Sequence, residues 1–173
     1  MGSLLALRLK QLLDRLSHVA DAKVERLVFS VKTRDITPQV RAFLLQGARM
    51  GKVATVGPDR LPHVIPVWFH LDGDDIIFIT GNNTMKAKNL RHEDHVAMCV
   101  DDEQPPYAYA EIEGTIKISG DPKELLDWAT VIAECYMGQE RAQEYGRINS
   151  GPGEWVVRIL PRKVIFEDKI AEL

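Results

Sequence analysis

Residues 107–118 (YAYAEIEGTIKI) alternate in character at every step. Tyr107, Tyr109, Glu111, Glu113, Thr115 and Lys117 fall on one side, and Ala108, Ala110, Ile112, Gly114, Ile116 and Ile118 on the other. Successive side chains of a strand point to opposite faces, so this is a long strand and not a helix. Upstream, residues 52–56, 61–71 and 75–80 are β-rich runs. The clusters Gly57-Pro58-Asp59-Arg60 and Asp72-Gly73 between them are hairpin signals. Residues 95–100 and 154–166 complete a set of six expected strands, with Pro161 marking a bulge or edge in the last. This order predicts a mostly β (α+β) fold, an antiparallel barrel with peripheral helices, and opposes a doubly wound parallel sheet.

The expected helices lie outside that block. Leu5, Leu9, Leu12, Leu13 and Leu16 recur at helical spacing over residues 4–17, and residues 24–32 read as a short strand or extended linker. Thr37-Pro38 opens a helix with Val40, Phe43 and Leu44 on its apolar side. A short helix is expected over 84–91, a longer one from Asp121-Pro122 to about Met137, and a further piece over 139–146.

Composition narrows the function classes. The 173 residues carry 22 Lys+Arg against 25 Asp+Glu, a net charge of −3, which disfavours a general nucleic-acid binder. Cys99 and Cys135 sit in apolar runs and read as buried free thiols, suited to a reducing compartment. Arg8 and Lys10 interrupt the first apolar stretch too early for a secretory signal, and no run is long enough to span a membrane. A cytoplasmic protein without membrane partners is expected.

The segment Gly81-Asn82-Asn83-Thr84-Met85-Lys86-Ala87-Lys88 carries the sharpest local conflict. A Gly-Asn-Asn turn enters a helix through the N-cap Thr84, and two lysines then occupy the helix start. Cations there oppose the macrodipole by about 0.3–1 kcal/mol each. A bound phosphate would remove the conflict, because free N–H groups, a hydroxyl and ammonium groups would surround it. Solvated surface lysines are the competing reading. A second feature is LPHVIPVWFHL, in which Leu61, His63, Ile65, Val67, Phe69 and Leu71 share one face and Pro62, Val64, Pro66, Trp68 and His70 the other. Pro66 removes a ladder donor, which implies an edge, a bulge or a ligand beside it. Trp68 could line a flat ring, or be an ordinary buried Trp. His92-Glu93-Asp94-His95 lacks a metalloprotease pattern, and no metal site is expected. Asp101, Asp102 and Glu103 read as a solvated turn. No nucleophile elbow, Walker loop or dinucleotide fingerprint is present, so no catalytic residue is assigned and a cofactor is expected to supply the reactivity.

These segments together resemble the pyridoxamine 5'-phosphate oxidase-like flavin and deazaflavin proteins of the split β-barrel, FMN-binding-like fold. The resemblance rests on VRAFLLQGARMGKVATVGPDRLPHVIPVWFHLDGDDIIFIT, TMKAKNLRHEDHVAMCVDD, YAYAEIEGTIKI and EWVVRILPRKV, over about residues 38–167. PHVIPVWF and KAKNLRHEDHVAM are its most specific parts, and they are most similar to the branch using the deazaflavin coenzyme F-420. The resemblance implies a split-barrel domain over 36–173; residues 1–35 lie outside it, and their leucine spacing makes a helical extension the expectation there. It implies a homodimer with cofactor sites at the interface, reducing a small-molecule acceptor, with FMN as the alternative cofactor. It also implies that Lys86 binds phosphate with Lys88 and Asn89 beside it. The stretch containing His63, Ile65, Pro66, Val67 and Trp68 would lie along the ring. Thr55 and Thr80 would sit next to the cofactor, and Tyr107 and Tyr109 would approach it.

Overall fold

The computed structural model describes residues 35–171. The expected helix at 4–17 and the strand or linker at 24–32 lie outside the described residues. Helix α1 is Pro38–Leu44. The strands are β1 (Gly51–Val56), β2 (Pro62–Val67), β3 (Phe69–Asp72), β4 (Asp75–Gly81), β5 (His95–Asp102), β6 (Ala108–Ser119) and β7 (Glu154–Glu167). Helix α2 (Met85–His92) lies between β4 and β5, and α3 (Pro122–Met137) and α4 (Gln139–Ile148) lie between β6 and β7.

All seven strands form one antiparallel sheet in the order β2-β1-β5-β6-β7-β4-β3. The strand count is seven rather than the expected six, because residues 61–71 do not form one strand. They divide at Trp68 into β2, paired with β1, and β3, paired with β4. Those are the two outermost strands of the sheet, yet a single residue separates them. A sheet whose two edges are consecutive in the chain must curl toward closure, which is the split barrel. Pro66 contributes no N–H at the place where pairing is handed over.

Local chemistry explains the boundaries. The Thr37 hydroxyl accepts from Val40 N at 3.3 Å, with Pro38 in the first turn of α1. The Asp121 carboxylate accepts from Glu124 N at 2.8 Å at the start of α3. In β6 the register against β7 slips between Glu113 and Gly114, leaving Arg162 unmatched next to Pro161. Gly114 is required there, since a Cβ at that position would meet the Leu160 carbonyl oxygen at 2.4 Å.

Two apolar layers cover the sheet. The main core joins Val53, Phe69, Ile76, Phe78, Met98, Ile112, Val157 and Ile159 to Val40, Phe43 and Leu44 of α1. The second joins Ile77 and Val156, on the other face of the same strands, to Leu125 and Ile132 of α3. Strand β4 is therefore covered on both sides, which accounts for its unbroken apolar run Ile76-Ile77-Phe78-Ile79. Cys99 is half-buried, whereas Cys135 is exposed, contrary to the expectation of a buried thiol, because it lies on the outer side of α3. Asp101 and Asp102 are not a turn either: they end β5, where Asp102 pairs with Arg49 at 2.6 Å and Asp101 with Lys52.

Candidate functional site

The turn that leaves β4 builds the mouth of α2. Thr84 Oγ1 donates to the Gly81 carbonyl at 2.8 Å and accepts from Ala87 N at 3.2 Å, so the hydroxyl caps the helix as its sequence position suggests. Thr80 Oγ1 lies 3.2 Å from the same hydroxyl. The cap places Lys86 on the inner side of the helix, only 8% exposed, with its Nζ 5.2 Å from the centre of the Phe78 ring. Lys88, two residues on, is exposed.

Beside Lys86 runs a cleft of about 430 Å³, within the range of small-molecule sites. Its floor is Ile79, Thr80 and Gly81 at the end of β4, and one wall is Pro66, Val67 and Trp68 at the β2–β3 junction. The opposite wall is Ala129 and Ile132 of α3 with Tyr145, Ile148 and Asn149 at the end of α4, and Glu154 opens β7 at the rim. Lys86 forms no hydrogen bond or ion pair among the described residues. Burial pushes its ammonium below the ordinary lysine range, and the negative charge of Glu154 works in the opposite direction. Burial likewise pushes the Glu154 carboxyl up, with Lys86 opposing.

Five of the residues expected near a cofactor therefore meet in one cleft: Lys86, Thr80, Pro66, Val67 and Trp68. The indole of Trp68 is not a free platform, however. It stacks on Tyr136 at 4.9 Å and 7°, and leans on Tyr145 at 6.4 Å. The Tyr136 hydroxyl donates to the Arg49 carbonyl at 2.6 Å and accepts from Phe69 N at 3.2 Å, which locks the stack, and burial pushes its pKa up to about 12.

The other expected residues lie elsewhere. Asn89 Nδ2 donates to Thr55 Oγ1 at 3.1 Å, and Thr55 Oγ1 donates to the His63 carbonyl at 3.4 Å. This buried chain pins α2 onto β1 and β2, so Thr55 and Asn89 support the helix that carries Lys86. His63 Nδ1 is buried with no hydrogen-bond partner, and Ile65 packs against the main core. Tyr107 has φ 60° and precedes β6, beside a second cavity with Phe43 and Phe166. Tyr109 lies on β6 opposite Glu167, its phenol pushed up by burial and then by Glu167. Glu93, Asp94 and His95 meet on the exposed surface, with His95 Nδ1 2.6 Å from Glu93 Oε1. The sequence reading missed Tyr145, Ile148, Asn149 and Glu154. The apolar periodicity of α3 and α4 could have marked them as packing helices, but not which cavity they close.

The fold and cleft define a class: a split barrel in which a helix mouth bearing a buried lysine opens beside a cleft of mixed apolar and polar lining. The chain belongs to the pyridoxamine 5'-phosphate oxidase family, whose pattern it matches over residues 36–171. Among solved structures it is similar to the conserved hypothetical protein Rv2991 of Mycobacterium tuberculosis, at 24% identity and a TM-score of 0.67, covering 79% of this chain and 88% of that one. It is similar to an F420 reductase at 25% identity and a TM-score of 0.62, covering 77% of this chain and 99% of the other. A haem-binding protein of Mycobacterium smegmatis shares the fold at 15% identity and a TM-score of 0.58, covering 73% of this chain and 51% of that one. No curated protein matches in sequence. The fold is thus of the flavin- or deazaflavin-binding oxidoreductase type. Among the described residues no helix is long and apolar enough to cross a membrane.

Proposed function

We propose that this chain is a homodimeric, cytoplasmic oxidoreductase that binds coenzyme F-420 and reduces an electron-poor small molecule. One observation carries the reading: a buried ammonium without an ion pair faces the same cleft as the Pro66–Trp68 junction. A buried cation is costly unless something compensates it, and a ligand phosphate is the compensation this cleft can accept. The residues present therefore fit a planar ligand with an anionic tail. When bound, a reduced deazaflavin supplies hydride to a conjugated C=C, C=N or quinone-like acceptor.

The protein's share is positioning. Lys86 and the Thr80 hydroxyl hold the anionic tail. Val67 and the Trp68–Tyr136 stack fix the wall along which the ring lies. Ala129, Ile132 and Ile148 keep that slot apolar, which limits water at the reacting centre. No side chain is assigned as proton donor. Support for F-420 comes from the F420 reductase likeness; FMN, with a single terminal phosphate, is the competing cofactor. The shared fold of a haem-binding protein favours a second reading, a carrier without turnover.

Fluorescence titration of F-420 and FMN side by side, followed by turnover of the reduced cofactor with a panel of acceptors, tests the reading. Saturable F-420 binding with acceptor-dependent oxidation is expected. Binding without turnover would point to the carrier, and binding of neither ligand would remove the proposal.

A further inference from the structure

The cleft carries one positive and one negative side chain, and no other charge among its lining residues. Lys88 is exposed, and Arg91 is drawn away over the Trp155 ring at 4.3 Å, so neither adds a second cation. Glu154 opens β7 in register with Gly81, the last residue of β4. A Cβ on Gly81 would lie 3.3 Å from Glu154 Oε1, which places the carboxylate against the turn that leads into the Lys86 helix. Lys86 and Glu154 feel each other's charge without forming an ion pair.

We propose that Glu154 is a specificity residue: it makes the cleft accept a ligand whose phosphate is a singly charged diester in preference to one ending in a doubly charged monoester. The inference rests on the cofactor reading above and decides between its two candidates. An anion held by Lys86 sits within the field of the carboxylate. The single ammonium balances one negative charge, and Glu154 has already used part of that field. A phosphomonoester carries about −1.5 to −2 charges at neutral pH, so its second charge meets repulsion without a second cation to offset it. A diester has no second charge to lose. The phosphate of F-420 is a diester and that of FMN a monoester, so at the phosphate held by Lys86, as distinct from the carboxylates further along the F-420 tail, Glu154 opposes FMN more.

The test measures dissociation constants of F-420, FMN and riboflavin at neutral pH by fluorescence titration. It compares the wild-type chain with Glu154→Gln and Glu154→Asp, with circular dichroism confirming that each variant folds. Glu154→Gln removes the charge at constant shape and should tighten FMN by up to about tenfold. F-420 should tighten less, riboflavin should not change, and Glu154→Asp should keep the wild-type ratio. An unchanged ratio of FMN to F-420 affinity in Glu154→Gln would overturn the inference and leave the cofactor reading standing. So would an equal shift for riboflavin, which has no phosphate. If neither phosphorylated ligand binds any variant, the cofactor reading falls together with the inference.

Discussion

Lys86 is a residue the fold would be more stable without. Its ammonium is buried, and burial lowers its pKa below the value of about 10.4 that the unfolded chain would show. Between those two values the unfolded chain binds more protons than the folded one, so stability should rise with pH across that window, and the full penalty should apply below it. Replacing Lys86 by Met should therefore raise stability at neutral pH by about 1 kcal/mol, or ~2–4 °C in a domain of this size. It should also flatten the alkaline part of the stability profile. The same variant should weaken binding of the phosphorylated cofactor by about 1.5–3 kcal/mol, the range for a charge-assisted contact. Thermal melts across pH, with and without ligand, read both effects. A variant that is less stable and binds as well as wild type would show Lys86 to be ordinary packing. This residue was legible in the sequence because a cation at a helix mouth breaks a local rule. Lys88 breaks the same rule but points to solvent, and periodicity alone could not separate the two. Glu154 was illegible, because its place depends on the register of β7 against β4, a pairing between residues far apart in the chain.

Element boundaries were readable where capping and turn residues act locally. Thr37-Pro38, Asp121-Pro122 and Asp72-Gly73 all sit where their chemistry predicts. The division of residues 61–71 was not readable, since both halves are apolar and extended; only sheet closure distinguishes them. Pro66 was the local hint, read as an edge, a bulge or a ligand contact. The slip in β7 was better marked, because Pro161 signals a bulge and Gly114 lies opposite it. The close approach there leads to a prediction about β6. Gly114→Ala would push a methyl group against the Leu160 carbonyl, where backbone and not a flexible side chain must yield. A loss of about 1–3 kcal/mol is expected in urea unfolding, without a change in slope. Gly138 joins α3 to α4 at φ 84°, in open space. With ψ at 160° this is backbone that glycine alone adopts readily, so Gly138→Ala should cost about 1–3 kcal/mol from backbone strain without any steric contact. If Gly114→Ala proved as stable as the wild-type chain, the close contact across the bulge would not be a constraint.

At the scale of the whole molecule, the outward face of β2 raises the question of assembly. Pro62, Val64 and Pro66 all point away from the core, and Leu61 and Val64 are 65% and 61% exposed. An apolar strip at a sheet edge invites pairing, and prolines at two of its positions block simple strand-to-strand extension. That combination suits side-chain packing against a second copy more than sheet continuation. The strip is continuous with the cleft, because Pro66 belongs to both. If a homodimer covers it, assembly and cofactor binding must be coupled: whatever loosens the interface loosens one wall of the site. Val64→Glu would place a charge in the strip without touching the cleft lining. Light scattering should then find the wild-type chain dimeric at micromolar concentration and Val64→Glu shifted toward monomer. Cofactor affinity should fall in step with the loss of dimer and recover as protein concentration rises. A wild-type monomer would refute the shared interface, and a monomeric variant with undiminished affinity would show that a single chain completes the site.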